Sequence, residues 1–326
     1  MKTADAQWVA GIVLHNIESA FREFDEITRA PEQERARLTA ARDGVADALA
    51  GDPRVLRVVD AGSYRHGTEV GGRSWFDVLV VLSGKPSSVA RAVDLVNTVA
   101  SGRGDAVNAL VAPLTSGSAV TAPSGALPSR VVAAAGAGLT GAGAVGSVPP
   151  GIRLVPAFEA PAGLAAPGGD IVLVADAARH WVASRVGARE ILLNRVDDGT
   201  MRPLIRLVLA WKHRVRAAVS SYYLETAVIR QALQQPSFSP LWDLCWAFEQ
   251  LAADDLMTLT DVSSPNAKPG VRASASMSKR IETGYLVDAA AAMMRSAVNA
   301  SIDDDWQTVS ERLRALFGPH FPDLDG

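Results

Sequence analysis

The sequence predicts an α+β protein, with a small mixed β-sheet in its first half and helices through its second half. Two short apolar runs, at 55–61 and 76–82, have the length and the valine-rich composition of strands. From about residue 174 onward, apolar residues recur at helical spacing instead. The 326 residues fit one large domain or two closely packed ones. We therefore expect a mixed core at 1–170 and a helical lobe at 171–326.

Two helices are predicted before the sheet begins. Residues 4–29 carry apolar side chains at helical spacing, and we expect this long helix to cross over and brace the helical lobe. Pro31 suits the first turn of a second helix, because the backbone N–H that proline lacks has no partner there. Gly51 is expected to end that helix.

The sheet region alternates strands with glycine-rich segments. Segment 62–68 has a glycine near each end and is expected to be a turn between the first two strands. A helix packed on the sheet is predicted at 86–100. Further strand candidates lie at 106–111, 118–121, 130–134 and 152–158. The glycine-rich run 136–151 is typical of a flexible loop, and a phosphate-binding loop is disfavoured because no long helix follows it.

Helical spacing accounts for most of the second half. Helices are predicted at 200–217, 222–235, 239–253, 279–297 and 304–317. Thr200 is the expected N-cap of the first of these. The stretch 261–275 is rich in Ser, Pro and Gly, and is expected to be a loop.

Composition narrows the class of protein. A net charge of −3 and a pI near 6.0 are untypical of nucleic-acid-binding proteins, so we expect no nucleic acid as a partner. Cys245 stands alone, which excludes a disulfide or a Cys-ligated zinc site within one chain, and it is expected to be buried. Asp5 and Glu18 argue against a signal peptide, and no apolar run is long enough for a membrane span. We expect a cytoplasmic protein that does not bind membranes.

The residues that point to chemistry lie around the first two strands. The small residues of 62–68 free backbone N–H groups and let a phosphate approach without a Cβ in the way. Ser63 and Thr68 add hydroxyl groups at the same place. Asp77 then stands within an apolar strand. Because an unpaired buried carboxylate is costly, we expect a metal ion or a cation beside it.

Several segments together resemble the CD-NTases, bacterial relatives of cyclic GMP-AMP synthase within the polymerase β-like nucleotidyltransferases. Segments 62–68 (GSYRHGT) and 74–78 (SWFDV) are similar to the family's Gly-Ser-Tyr-x-x-Gly-Thr and Ser-Asp-x-Asp-hydrophobic motifs. Segments 152–158 (IRLVPAF), 201–212 (MRPLIRLVLAWK) and 220–225 (SSYYLE) are similar to later family motifs, in the right order. The resemblance implies a bilobal nucleotidyltransferase fold with a nucleotide cleft between sheet and helical lobe.

The metal site that the resemblance implies is degenerate in this chain. The family holds two magnesium ions with three carboxylates, and at those positions this sequence has Trp75, Asp77 and Arg153. Two-metal phosphoryl transfer needs anionic oxygen ligands for both ions. We therefore expect Mg²⁺ only if the protein is active, with Glu69 or Glu159 as replacement ligands, and otherwise no cofactor.

Arg153 has two possible roles at the third ligand position. It can form a buried salt bridge with Asp77, which we predict because Asp77 needs a cationic partner. It can instead replace the metal as a clamp for phosphate oxygens.

The resemblance also implies nucleotide contacts elsewhere in the cleft. The expected nucleotide-binding residues are Gly62, Ser63, Tyr64, Thr68, Lys212 and Tyr222. Four further residues could also contact the nucleotide, or could instead lie in solvent or in the core. They are Arg65, His66, Arg214 and Tyr223. Trp211 and Trp246 are expected in the core rather than as stacking platforms.

The resulting hypothesis is a CD-NTase-like protein of bacterial antiphage, CBASS-like signalling that has lost catalysis. It would bind a nucleotide, a cyclic nucleotide or a protein partner from a defence operon, and act as a sensor or regulator. One alternative is an active nucleotidyltransferase that makes cyclic or linear oligonucleotide messengers from NTPs. Another is a scaffold protein with an empty cleft.

Overall fold

The computed structural model of the protein describes residues 3–102, 130–133, 151–161, 171–176, 179–263 and 270–324. The strands predicted at 106–111 and 118–121 lie outside the described residues, as does the glycine-rich run up to residue 150. No described helix is long and apolar enough to cross a membrane.

The two predicted N-terminal helices are confirmed as α1 (Thr3–Thr28) and α2 (Glu32–Leu49). Pro31 precedes the first turn of α2, which carries two glutamates near the positive end of the helix dipole. Gly51 follows the end of α2 in a left-handed conformation, with φ +80°.

The sheet is mixed, as predicted. Its order is β1 (Val55–Ala61), β2 (Phe76–Leu82), β4 (Gly151–Glu159), β5 (Ile171–Ala175) and β6 (Trp181–Arg185). The strand β3 (Arg130–Ala133) pairs with the first part of β4, and β5 pairs with its last part. Only β2 and β4 run parallel among the described strands, while the other pairs are antiparallel.

Every residue of β2 is buried. The helices α2 and α4 (Val89–Ser101) cover one face, where alternate residues of β2 join the core. Those residues are Phe76, Val78, Val80 and Leu82. The intervening residues Leu79 and Val81 lie on the other face, which fits the two-residue period of a strand. By contrast β1 is only partly buried, although its sequence predicts a buried strand.

The segment 62–68 differs from the predicted turn. It contains a short helix, α3 (Gly62–His66), which ends at Gly67 with φ +72°. Gly62 and Gly67 therefore adopt left-handed conformations at the two ends of this short helix, and the segment is not a hairpin turn.

The helical lobe contains α5 (Ala188–Val196), α6 (Met201–Val215), α7 (Ser221–Gln234), α8 (Pro240–Ala253), α9 (Met277–Ile302) and α10 (Trp306–Phe317). Within the predicted loop at 261–275, residues 270–271 form β8 (Gly270–Val271), which pairs with β7 (Leu259–Thr260). Thr200 is the N-cap residue of α6, as expected, but its side chain makes no capping hydrogen bond and its hydroxyl donates to Asp198. The carboxylate of Asp197 instead accepts a hydrogen bond from the backbone N–H of Met201.

Helices were expected from about residue 174 onward, and this prediction is wrong for the first residues of that range. The strands β5 and β6 pair antiparallel and extend the sheet past β4. The proposed division at residue 170 stays a prediction, and the sheet continues beyond that point to Arg185.

The predicted bracing by α1 is confirmed. Phe21 and Phe24 pack edge-on or tilted against Phe321, with ring centroids 5.3 and 5.1 Å away. Phe24 also contacts Phe317, at the end of α10. Cys245 and Trp211 are buried in the same core, as predicted, whereas Trp246 is only half-buried and contacts Trp242.

Candidate functional site

A cleft with a volume of about 210 Å³ lies between the sheet and the helical lobe. The sheet contributes β2, β4, β5 and β6, and the helical lobe contributes the N-terminal ends of α5 and α7. Residues of the short helix α3 also line the cleft. Apolar side chains such as Leu79 and Val155 line its sheet side, and arginines line much of the remainder.

Asp77 on β2 and Arg153 on β4 occupy paired positions of the parallel register. Arg153 Nε donates to Asp77 Oδ1 at 2.5 Å, and Nη2 donates to Oδ2 at 2.6 Å. The two residues are 9% and 4% exposed, respectively. The predicted buried salt bridge is therefore confirmed, and it engages both oxygen atoms of the carboxylate.

Gly62 lies directly against this ion pair. Its φ of +70° is in the left-handed region, which favours glycine. A Cβ at this position would come within 2.9 Å of Asp77 Cγ and closer still to one carboxylate oxygen. Asp77 is thus enclosed by Arg153 on one side and by the backbone of α3 on another.

The residues present do not fit a two-metal site. Trp75 lines the cleft but offers no oxygen ligand. Glu69 is buried and forms an ion pair with Arg35. Glu159 lies six residues beyond Arg153 on β4, about 20 Å along the strand, where it pairs with Arg57. Among the described residues, no group of three or more His, Cys, Asp or Glu side chains could hold a metal ion.

Arg189 on α5 is a buried arginine that contacts both α7 and Asp261, the residue after β7. Its Nη1 donates to Tyr222 O at 3.0 Å and to Glu225 Oε2 at 3.2 Å. Its Nη2 donates to Thr226 Oγ1 at 2.6 Å and to Asp261 Oδ1 at 3.2 Å. The guanidinium also stacks on the Tyr222 ring, 3.4 Å from its centroid. This network fixes α7 against α5 and against the strand β7.

Glu225 connects the helical lobe to α3. It accepts a hydrogen bond from Thr68 Oγ1 at 2.6 Å, and His66 Nδ1 lies 3.0 Å from its other oxygen. Burial alone would raise the pKa of Glu225, but His66, Arg189 and Thr68 outweigh burial and lower the pKa to about 2. Glu225 is therefore ionised near neutral pH and acts as a structural anion between the two lobes.

Lys212 lies buried behind the cleft surface. Its Nζ donates to Ser221 Oγ at 2.5 Å, and Ser221 lines the cleft. Burial, and then the nearby charge of Arg153, lowers the pKa of Lys212 well below its usual value. Its neighbour His213 lines the cleft, where burial, Lys212 and Arg73 lower the pKa of the imidazole to about 3.

Three of the residues predicted to contact a nucleotide line the cleft, namely Gly62, Ser63 and Tyr222. Arg65 and His66 line it as well. Arg65 Nε donates to Glu190 across the junction of α3 and α5, so this side chain is not simply solvated.

The remaining predicted contacts lie elsewhere. Tyr64 packs on the opposite side of the sheet, where its hydroxyl donates to Glu34 and its ring stacks on Phe76. Thr68 is fully buried. Tyr223 is buried in the helical lobe, and Arg214 contacts the carbonyl of Ala315.

Sequence reasoning missed Arg189, Glu225 and Asp261 as parts of the site. Glu225 lies inside a recognised motif, so its position was a usable signal. Arg189 gives no such signal, because nothing in the local sequence distinguishes it from the exposed Arg195 on the same helix.

The fold is that of the CD-NTases. CdnC from E. coli MS115-1, solved with ATP, is 13% identical, with a TM-score of 0.65 over 94% of this chain and 98% of that one. CdnG from Bradyrhizobium diazoefficiens, solved with GTP, is 13% identical, with a TM-score of 0.61 over 93% and 94%. Vibrio cholerae DncV, a cyclic AMP-GMP synthase, is 10% identical, with a TM-score of 0.52 over 99% and 92%.

CdnC was also solved in complex with a HORMA protein; in that structure it is 14% identical, with a TM-score of 0.63. No family model and no curated protein matches the sequence. At these levels of identity the likeness establishes the fold and its bilobal arrangement of sheet and helices.

Proposed function

We propose that this CD-NTase-fold protein has lost metal-dependent nucleotidyl transfer and binds a nucleotide or cyclic nucleotide in its cleft as a sensor or regulator. The observation that carries the proposal is the ion pair between Asp77 and Arg153. It fills the place where the family motifs imply metal ligands, and it leaves neither oxygen of Asp77 without a cationic partner.

Electrostatic repulsion from Arg153 strongly disfavours a divalent cation at Asp77. Two unit charges 4 Å apart interact by about 4 kcal/mol at an effective dielectric of about 20, and a divalent ion doubles that repulsion from Arg153. Trp75 offers no compensating anion. An ion at Asp77 would therefore have to displace the guanidinium while gaining a single carboxylate.

The remaining charges of the cleft favour an anionic ligand. Each carboxylate that lines the cleft is already within ion-pair distance of a cation. Arg73 also lines the cleft and is exposed, and among the described residues it forms no ion pair. The nucleotides in the CdnC and CdnG structures are anions of a fitting class.

Two measurements test the proposal together. Purified protein is incubated with labelled NTPs and Mg²⁺ or Mn²⁺, and we expect no cyclic or linear product. ATP, GTP and a cyclic dinucleotide are then titrated by calorimetry in EDTA, and we expect at least one of them to bind with an affinity that added Mg²⁺ does not increase. Product formation by the wild-type protein would instead establish the alternative function, an active nucleotidyltransferase.

A variant with both Trp75→Asp and Arg153→Asp serves as the matched control. It restores all three carboxylates at the family positions, so product from this variant alone would show that the assay conditions support catalysis. Either substitution by itself should give little activity, because residues that act as one catalytic unit are not additive.

The cellular role follows from the resemblance and is part of the same proposal. A cytoplasmic protein in an antiphage signalling system would respond to a nucleotide signal or to a protein encoded beside it. Co-purification of the tagged protein from its native host, before and after phage infection, would test this role.

A further inference from the structure

Trp75 is placed to meet a ligand in the cleft. It immediately precedes β2 and is two residues before Asp77, so both share the face of the sheet that lines the cleft. The intervening Phe76 points to the opposite face, where it stacks on Tyr64. The alternation of the strand therefore presents the indole of Trp75 to the cleft next to the ion pair.

The indole has no partner within the described part of the chain. It is only half-buried, its ring makes no aromatic or cation–π contact, and its N–H donates no hydrogen bond there. Tyr222 differs, because Arg189 covers one face of its ring and its hydroxyl donates to Asp261 at 2.6 Å. Trp75 is thus the cleft aromatic with the most unused ring surface among the described residues.

Arg73 stands on the same segment, two residues before Trp75, and lines the same cleft. Its positive charge contributes to lowering the pKa of the half-buried His213 on α6, which also lines the cleft. An exposed guanidinium beside an unused indole suits a ligand with an aromatic ring and a phosphate, because aromatic side chains stack on bases and arginine binds phosphate through its fixed donors.

We infer that Trp75 is the base-stacking residue of the cleft and that Arg73 contacts the phosphate of the same nucleotide. The inference rests on the proposed function, and it gives a role to the residue that stands in place of a metal ligand. The ligand class is a nucleotide bound without a divalent ion, its base on the indole and its phosphate at Arg73.

Calorimetric titrations with ATP and with inorganic tripolyphosphate, both in EDTA, separate the two contacts. Trp75→Ala should weaken ATP binding on the order of 10- to 100-fold, the range of one base–aromatic stack. It should leave tripolyphosphate binding unchanged, which also shows that the variant is folded. Trp75→Phe should retain most of the ATP affinity. Arg73→Ala should weaken both ligands and reduce the dependence of binding on NaCl concentration.

Two control variants lie outside the cleft. Tyr285→Ala removes an exposed aromatic ring on α9, and Arg91→Ala removes an exposed arginine on α4, so neither should change either affinity.

Each outcome decides a different point. If wild-type protein binds neither ATP nor GTP nor a cyclic dinucleotide, the proposed function fails and this inference fails with it. If wild-type protein binds ATP and Trp75→Ala binds it equally well, only the stacking role is overturned. Binding of ATP without any binding of tripolyphosphate, or an Arg73→Ala variant with unchanged affinities, overturns the phosphate contact.

Discussion

Removing the guanidinium of Arg153 would leave Asp77 as a buried carboxylate without its bidentate partner. Breaking a buried pair in this way costs about 3–5 kcal/mol. The nearby Lys212 should offset part of the loss. Burial lowers the pKa of Lys212 most, and the charge of Arg153 lowers it further, so removing Arg153 raises this pKa and increases the share of protonated Lys212, the form that Asp77 favours. We therefore expect Arg153→Ala to fall near the lower end of the range.

Thermal unfolding followed by circular dichroism measures this effect. The entropy of unfolding is about 2.1 cal/mol/K per residue, so for 326 residues a loss of about 3–5 kcal/mol lowers Tm by about 4–7 °C. Lys279→Ala breaks an exposed pair with Glu282 and serves as a control, with an expected cost of about 0–1 kcal/mol. Replacing both partners by apolar residues, as in Asp77→Leu with Arg153→Met, should recover much of the stability lost in Arg153→Ala.

An unchanged Tm in Arg153→Ala would refute the structural role of the pair. If the same variant also lost nucleotide binding, Arg153 would be a phosphate clamp, and its contact with Asp77 would describe only the unliganded protein.

Three further predictions concern other parts of the molecule. Gly62→Ala should lower Tm more than Gly72→Ala, because both glycines have a similar positive φ, +70° and +66°, but only a Cβ at Gly62 meets the Asp77 carboxylate; equal losses would contradict this. The lowered pKa of Glu225 stabilises the fold above the unfolded-state pKa of about 4.5, so the protein should lose on the order of 3 kcal/mol as pH falls toward about 2, and Glu225→Gln should lose less over that range, measured by urea unfolding at each pH. Burial raises the pKa of the Cys245 thiol to about 11, so iodoacetamide should modify it slowly in native protein and rapidly in urea, and fast native modification would show that α8 opens.

The sequence predicted the elements that carry a clear periodic pattern of apolar residues. The alternation of β2 placed Trp75 and Asp77 on one face, and the family pattern placed Arg153 opposite Asp77, so their pairing was predictable. The N-terminal helix was predictable from its repeated apolar residues, and so was its docking on the helical lobe.

The antiparallel pair of strands β5 and β6 was not predictable in the same way. Its residues form strands because β4 offers an open edge beside them, and β propensity depends on such neighbours more than on the segment itself. The network around Arg189 was missed for a related reason. Its carboxylate partners Glu225 and Asp261 lie far along the chain, so only the tertiary structure shows that this arginine is buried.

The packing of α1 against the other end of the described chain affects the order in which the protein can fold during synthesis. Phe21 and Phe24 emerge from the ribosome early, but their ring partners Phe317 and Phe321 are made some three hundred residues later. At a translation rate of about 5–20 residues per second, α1 keeps part of its aromatic face uncovered for on the order of 15–60 s. A nascent chain of this protein therefore presents a site that chaperones can bind until residue 321 has left the ribosome.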